Sequence, residues 1–379
     1  MTTAQNFQEN ILSLATPQNS AQKEAYLFWK THDLPTKKQE LWRYTNLSDI
    51  YKHTWALPQD NLNSVTFPTT IPQGFSLKEI PRSTVPCHHD TPFMTINQLL
   101  QPHTFALMVA ADTTIPQPIH IHHRGAPNNT IINSHLSLCV GKNSQVTIIE
   151  TFEDDTQNVY LTNSIMEVSL EENSSITYIR NQAQNIKSYH FGNTRVTQKA
   201  HSKWTSYVQT TGSAIARHNL DIQLTEPESH AIALGAYMTK GKQVADFYTH
   251  IDHLTHHTTS EQIYKGILND SSTATFHGGV HVHSNAHNSN SQQLNQNILL
   301  SNKALINTKP LLEIDNDDVK CAHGATIGQL NPEELFYLES RAINPQSAKK
   351  MILQGFLNDL FNRLPANPAI QNLYKELSL

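Results

Sequence analysis

The stretch SHLSLCVGKNSQVTIIETF, residues 134–152, decides the fold of this 379-residue chain. Its apolar residues recur at every second position on both sides of a Gly-Lys-Asn-Ser turn: Leu136, Leu138, Val140, Val146 and Ile148. A period of two places alternate side chains on opposite faces of a β-strand. The stretch therefore predicts two strands, each with one buried face, joined by a short turn.

The same strand–turn–strand unit returns along the chain, in MEVSLEENSSITYIRN, RVTQKAHSKWTSYVQT and LDIQLTEPESHAIALGAY. Equivalent positions follow one another at steps of 30, 28 and 27 residues: Val146, Ile176, Trp204 and Ala231. Two later turns, in ILNDSSTATFHGG and ILLSNKALINTKPLLEI, place the next equivalents at Ala274 and Leu305, with steps of 43 and 31 residues. The longer step predicts an insertion in one turn.

A strand-rich repeat of this length is typical of stacked coils, each too small to bury its own apolar face. The sequence therefore favours a mainly β chain built as a β-solenoid. A propeller is less favoured, because its blades need roughly 40 residues in four strands. A β-sandwich stays open, because alternation alone does not separate it from a solenoid.

Helical segments are expected on both sides of the repeats. We predict a helical region with a proline-rich connector over residues 1–95, the solenoid over 96–328 and a second helical region over 329–379. Two C-terminal segments open with Asn-Pro, at Asn331 and Asn344, which is typical of a helix N-cap followed by N1. The second carries a broad apolar stripe that could be core or a partner surface: Ala348, Met351, Ile352, Phe356, Leu360 and Phe361.

Composition narrows the function. The net charge of −5 and the absence of a long basic run disfavour a nucleic-acid partner. No segment approaches the roughly 18 apolar residues that span a membrane. The N-terminus lacks the pattern of a signal peptide, and three scattered cysteines do not indicate a disulfide framework, so we expect a cytoplasmic protein.

Histidine is abundant, with 22 residues. The clusters CHHD (87–90), HIHH (120–123) and HIDHLTHH (250–257) have no recognised metal-ligand spacing, and polar positions on the wet face of a sheet are the favoured interpretation. A competing hypothesis is a cupin-like metal-dependent enzyme that uses His281, His283 and His287 in FHGGVHVHSNAH. A structural solenoid without chemistry is a third.

The segment EIDNDDVKCAHGATIGQL (313–330) holds Cys321 and His323, which lie on one side of a strand because i and i+2 share a face. Alone they complete neither a metal site nor a catalytic site. A protein-bound iron–sulfur cluster usually needs four ligands, mostly thiolates. No G-x-x-x-x-G-K-[ST] loop occurs, so we expect no ATP binding by this chain.

The segment from Ile251 to Ile343, with its block DDVKCAHGATIGQL, resembles the SufD family of scaffold subunits in the SUF iron–sulfur cluster assembly system. ELWRYTNL (40–47) is similar to the family's Trp-Lys-Tyr-Thr signature, with Arg43 in place of the lysine. The Glu-His-Glu-Ala motif and the further cysteines of the related SufB subunits are absent. The likeness is therefore to SufD.

This resemblance implies a right-handed parallel β-helix between two helical regions, in a non-catalytic subunit. It implies pairing with SufB through the β-helices. We expect the late coils, near residues 290–325, to form this contact because an open solenoid end exposes unpaired backbone groups, and Leu299 is the candidate contact. It implies docking of the SufC ATPase on the C-terminal helices, with Met351 and Phe356 as candidates. A transient iron–sulfur cluster would be shared with SufB, with His323 and Cys321 as ligands; a homodimer and a flavin stay open.

Overall fold

The computed structural model describes residues 2–58, 65–82 and 91–364. This part of the chain is mostly β, a parallel β-solenoid of about 8 turns with helices before and after it, as predicted. The helices, numbered in chain order, are α1 (Thr3–Leu14), α2 (Ser20–Thr31), α3 (Pro92–Leu100), α4 (Pro332–Ser340) and α5 (Pro345–Phe361).

Each coil contributes one strand to each of two facing sheets. Sheet I contains β2 (Phe75–Pro81), β3 (His103–Val109), β5 (Thr130–Val140), β7 (Tyr160–Leu170), β9 (Tyr189–Gln198), β11 (Ile215–Leu224), β13 (Val244–His253), β15 (Thr273–Val282) and β17 (Leu305–Ile314). Sheet II contains β1 (Val65–Thr66), β4 (Ile119–Arg124), β6 (Gln145–Glu153), β8 (Ser175–Ala183), β10 (Lys203–Thr210), β12 (His230–Thr239), β14 (Thr259–Leu268), β16 (Ser289–Leu299) and β18 (Val319–Gly328).

The first half of the predicted register is confirmed. The opening stretch forms the end of β5, a turn and most of β6. Val146 pairs with Ile176, Ile176 with Trp204, and Trp204 with Ala231, in parallel strands of sheet II. Apolar alternation therefore fixed the register wherever inward positions carry large apolar side chains.

The second half of the register prediction is wrong. Ala231 pairs with Ser260, whereas Ala274 lies in sheet I, where it pairs with Ala245 and Ile306. The apparent step of 43 residues is a jump from one sheet to the other, and no insertion is needed. The cause is that inward positions of β14 carry polar side chains such as Ser260, which break the apolar pattern.

The solenoid interior is filled by inward side chains of both sheets, and both outer faces are partly covered by helices. On sheet I, Phe93 of α3 stacks on Phe191 with ring centroids 3.6 Å apart. On sheet II, Leu353 and Leu357 of α5 join a buried cluster with Ile179 and other sheet residues. Burying a leucine side chain contributes about 1.5–3 kcal/mol, so this seam fixes α5 on the sheet.

The buried face of α5 differs from the predicted stripe. Ala348 and Leu360 are buried as expected, but the other buried positions are Leu353 and Leu357, and Met351 is 49% exposed. Contacts with sheet II determine which face of α5 is buried, and the pattern of apolar residues alone did not distinguish that face from the adjacent one. The predicted caps are confirmed, since Asn331 and Asn344 each accept a backbone N–H at 2.9 Å.

The chain around Leu41 and Trp42, predicted as helical, forms only a short 3₁₀ turn, Glu40–Trp42. A second 3₁₀ turn spans Ile50–Lys52. Within the range predicted as helical region and connector, β1 and β2 pair antiparallel with β4 and β3. They thereby cover the first coil of both sheets.

The tight turns between coils use left-handed backbone without glycine. Asn143 and Asn173 both have φ of 57° and occupy equivalent positions in successive turns. The Asn173 side chain donates to Asn143 Oδ1 at 2.9 Å, and Asn143 donates to Asp112 Oδ1 at 2.7 Å. Asparagine tolerates this conformation, which explains how a chain with 13 glycines makes so many tight turns.

Candidate functional site

The Cys-x-His pair lies on the last strand of sheet II. Cys321 pairs with Ser291 and His323 with Gln293, and both partners in β16 are buried in the solenoid interior. Cys321 and His323 therefore face the interior side of the last coil, on one face of β18 as predicted. His323 is nevertheless exposed and Cys321 is half-buried.

The Cys321 side chain lies in a small apolar cluster with Val280, Val282 and Leu312. Partial burial raises the pKa of the Cys321 thiol above its ordinary value. The thiol is therefore protonated at neutral pH, and a bound metal ion or a cationic neighbour would have to displace the proton before the sulfur became a ligand.

A column of polar side chains leads through the interior to His323. Thr249 donates to Gln262 Oε1 at 2.6 Å, and Gln293 Nε2 lies 3.4 Å from the same oxygen. Gln293 Oε1 is buried and has no hydrogen-bond partner within the described parts of the chain. His323 is the next residue in register above Gln293, so the column ends on an exposed imidazole.

The last coil exposes apolar side chains that earlier coils bury. Ile327 shares the inward face of β18 and is 52% exposed, and Ile314 occupies the inward end of β17 and is 43% exposed. Across residues 2–58, 65–82 and 91–364, no strand pairs with the outer edge of β17 or β18. At this end of the solenoid the strand edges are unpaired and apolar side chains are exposed, whereas β1 and β2 cover the other end.

Leu299, the predicted pairing contact, is half-buried and packs against the interior cluster of the solenoid. A charged residue there would disturb folding as well as any partner contact. The exposed residues of the last coil are therefore better probes of pairing.

The C-terminal helices expose a second apolar surface. Phe336 and Tyr337 of α4 are 73% and 58% exposed, and Met351 of α5 lies beyond the seam that holds α5 on sheet II. Phe356 is half-buried: Lys265 Nζ lies 5.0 Å from its ring centroid and donates to its carbonyl oxygen at 2.9 Å. Phe356 therefore anchors α5 to β14.

The ELWRYTNL segment is anchored to sheet I. The Arg217 guanidinium lies 4.2 Å from the centre of the Trp42 ring and donates to the Leu41 carbonyl at 2.9 Å. Arg217 also pairs with Asp246, to which the Thr45 hydroxyl donates. This part of the signature connects the N-terminal region to the coils, away from the Cys-x-His pair in sequence and in sheet.

Five of the described histidines are buried: His123, His135, His190, His218 and His253. Four of them point into the solenoid, so the interpretation of histidines as outward polar residues is wrong for these; His135 lies on the outward face of β5, beside Thr104 and Glu167. In the cluster HIHH, His123 points inward to Glu150, with His123 Nε2 2.7 Å from Glu150 Oε1. Because side chains alternate along β4, His123 points into the interior while His120 and His122 point outward. The cluster CHHD (87–90) lies outside the described residues.

The three-histidine site predicted for a cupin-like enzyme does not form. His281 and His283 lie together, with ring centroids 3.7 Å apart, and Asp252 is their third neighbour. His287 instead stacks on His256, at a centroid distance of 4.9 Å. Sequence reasoning missed Asp252 because it comes from the preceding coil, 29 residues before its register partner His281.

No described helix combines the length and hydropathy needed to cross a membrane. Residues 123–356, more than half of the chain, match the profile of the SUF system FeS cluster assembly, SufBD core domain family. The chain therefore belongs to the SufB/SufD family of the SUF system.

Curated relatives agree with this assignment. An iron–sulfur cluster assembly SufBD family protein of Synechocystis sp. is 33% identical over 283 residues, covering 72% of this chain and 62% of that protein. The iron–sulfur cluster assembly protein SufD of Escherichia coli is 32% identical over 237 residues, 62% of this chain and 56% of its own length. The chain thus matches a little more than half of the length of these relatives.

Proposed function

We propose that this chain is a non-catalytic scaffold subunit that holds a transient iron–sulfur cluster, as cargo, at an interface with a SufB-like subunit in the cytoplasm. Family membership assigns it a role in iron–sulfur cluster assembly. The observation that carries the finer proposal is the open last coil, where His323 and Cys321 lie beside two unpaired strand edges.

The ligand count requires a partner. A stable cluster needs four ligands, mostly thiolates, and the last coil offers one exposed imidazole and one half-buried thiol. A second subunit laid over this end would supply the remaining ligands and would bury Ile314 and Ile327. Incomplete ligation by either subunit alone also suits a scaffold, because the cargo must leave.

Pairing through β17 and β18 is the simplest way to cover the open end. Unpaired strand edges bind other strands readily, and exposed apolar side chains beside them add buried area. The same edges explain how the chain could form a homodimer when no partner is present.

The exposed surface of α4 and α5 is the proposed docking site for a SufC-like ATPase, since Phe336 and Tyr337 of α4 and Met351 of α5 are exposed there. The ATPase would supply the nucleotide, because this sequence has no phosphate-binding loop. Lys265 and Phe356 couple α5 to β14, which is two strands from β18 in sheet II. A pull on the helices would therefore act on the sheet that carries His323.

The test is co-expression of this chain with candidate SufB-like and SufC-like proteins, followed by purification of the complex and measurement of its iron content. His323→Ala should lower the iron content about tenfold, as is usual when a metal site loses a ligand or its support, while the complex stays intact. Cys321→Ser should have a smaller effect, because its sulfur is half-buried and protonated.

The matched control is His103→Ala, which removes a half-exposed histidine from β3 at the covered end of the solenoid. Iron loading in this control should equal that of the wild type. Unchanged iron in the His323→Ala complex would overturn the ligand role. An effect of Cys321→Ser larger than that of His323→Ala would reverse the two assignments.

A further inference from the structure

A second group of metal-ligating side chains lies on the outer face of sheet I. Asp252 belongs to β13, its register partner His281 belongs to β15, and His283 follows directly after that strand. Each of the three is partly exposed, and one ligand atom from each lies within 4.8 Å of the other two. Among the described residues this is the one such group of His, Cys, Asp and Glu.

Its distances fit a metal centre. Asp252 Oδ1 lies 3.0 Å from His283 Nε2 and 3.7 Å from His281 Nδ1. A tetrahedral ion with bonds near 2.1 Å separates its ligand atoms by about 3.4 Å. The observed values lie on either side of this separation, so small side-chain rotations would bring all three atoms to one ion.

The His281 ring is held in the orientation that such a site needs. Its other nitrogen, Nε2, lies 2.9 Å from Asp315 Oδ2, which follows β17 in the next coil. A carboxylate that accepts the N–H of one ring nitrogen leaves the other unprotonated and directed at a metal. Here that other nitrogen is Nδ1, the one nearer to Asp252.

The charge around the group favours a cation. The carboxylates of Asp252 and Asp315 both lie close to the His281 ring, at 3.7 Å from Nδ1 and 2.9 Å from Nε2 respectively. Glu313 Oε2 lies 4.0 Å from His281 Nδ1 and adds a third acidic group. His250, 3.4 Å from the same Asp252 oxygen, is the neighbour that a metal ion would have to displace.

We propose that Asp252, His281 and His283 form a binding site for a divalent first-row transition-metal ion, with Asp315 positioning His281. Two imidazoles and one carboxylate suit zinc or ferrous iron and leave coordination positions for water. The ligands come from two coils and the positioning carboxylate from a third. A bound ion therefore links the last coils of sheet I, and this role does not depend on the proposed scaffold function.

The experiment uses the full chain without a histidine tag, stripped with a chelator and then titrated with Co²⁺ and with Zn²⁺. We expect one ion per chain, a Co²⁺ absorption spectrum of low-coordinate nitrogen and oxygen ligation, and a higher unfolding temperature with metal. Asp252→Asn and His283→Gln should each weaken binding at least about tenfold, and Asp315→Asn should weaken it by a similar factor.

The matched control is the double variant His120→Gln, His122→Gln. It removes two histidines of the same i, i+2 spacing, with ring centroids 6.0 Å apart, from β4 of sheet II. Its metal affinity should be that of the wild type. If Asp252→Asn fails to fold by circular dichroism, the more exposed His283→Gln decides. Wild-type affinity in His283→Gln, or no saturable binding below about 1 mM metal, would leave an ion-pair network only and overturn the proposal.

Discussion

At the scale of single residues, the interior of the solenoid differs from an ordinary apolar core. Arg180 Nη1 donates to Glu150 Oε2 at 2.9 Å, and His123 pairs with the other oxygen of the same carboxylate. Burial raises the pKa of Glu150, but Arg180 and His123 lower it more, to about 2. Removing one member would leave an uncompensated buried charge, so these residues act as a unit.

Buried histidines predict how stability responds to acid. Burial, with the charge of Arg180 nearby, holds the pKa of His190 and His218 well below the usual value. The unfolded chain binds protons near pH 6.5 while the folded chain does not, so stability is full above this pH and falls below it. Each histidine should cost up to about 1.4 kcal/mol per pH unit below that point.

The measurement is urea unfolding of the full chain at pH 7.5, 6.5 and 5.5. The Glu150 contribution stays constant over this range, because its folded pKa of about 2 and its ordinary pKa of 4.5 both lie below it. The variant His218→Gln should lose part of the acid dependence and keep the free energy of unfolding at pH 7.5 within about 1 kcal/mol of the wild type. An unfolding midpoint that is equal at pH 7.5 and 5.5 in the wild type would contradict the prediction.

At the scale of elements, the turn ladder makes a prediction that depends on backbone conformation. Asn173 has φ of 57° and donates to Asn143. A β-branched residue is disfavoured in the left-handed region by about 1–2 kcal/mol, whereas glycine adopts it freely. Asn173→Val should therefore lower the free energy of unfolding by about 2 kcal/mol, and Asn173→Gly by less than about 1 kcal/mol, in chemical denaturation.

Both variants remove the side-chain hydrogen bond, so a loss for Asn173→Val that does not exceed that for Asn173→Gly would show that the left-handed backbone conformation is not what distinguishes them. Gln223→Val serves as the control, because it adds a β-branched residue at an exposed strand position of β11. Strand positions accept such residues well, so this variant should unfold close to the wild type.

The strands also show how much of the fold could be predicted from the sequence. The solenoid and the register from Val146 to Ala231 followed from apolar alternation and repeat length. The prediction of the register failed at β14, where polar residues such as Ser260 and Gln262 face inward. Ser260 hydrogen-bonds to His253 of sheet I, and Gln262 accepts a hydrogen bond from Thr249 of the same sheet. Alternation also does not tell which sheet a strand joins, which is why Ala274 was assigned to the wrong one.

The candidate site was predictable in part for the same reason. That Cys321 and His323 share a face follows from their spacing, and the structure agrees. Their exposure does not follow, because β17 and β18 have the alternation of any other coil. Asp252 was missed as a partner of His281, since stacking of coils brings together residues that are far apart in sequence.

At the scale of the whole molecule, the two ends of the solenoid are different. The antiparallel strands β1 and β2 cover the first coil, whereas β17 and β18 end their sheets in the described chain. A repeat protein needs a cap at each end to protect its interior and its strand edges. The proposed partner surface is the end that lacks such a cap, and it is the end that carries His323.

This asymmetry predicts the pattern of amide hydrogen exchange. In an edge strand about half of the N–H groups point away from the neighbouring strand and bond only to water, so these amides of β18 should exchange quickly in the isolated chain. Amides of β10 and β12 should exchange slowly, because each strand has neighbours on both sides. Adding a SufB-like partner should slow exchange in β17 and β18 and leave β2, at the opposite end, unchanged. Slow exchange of β18 in the dilute monomer would show that the edge is already covered, and protection that appears on β2 with the partner would place the pairing surface at the other end of the solenoid.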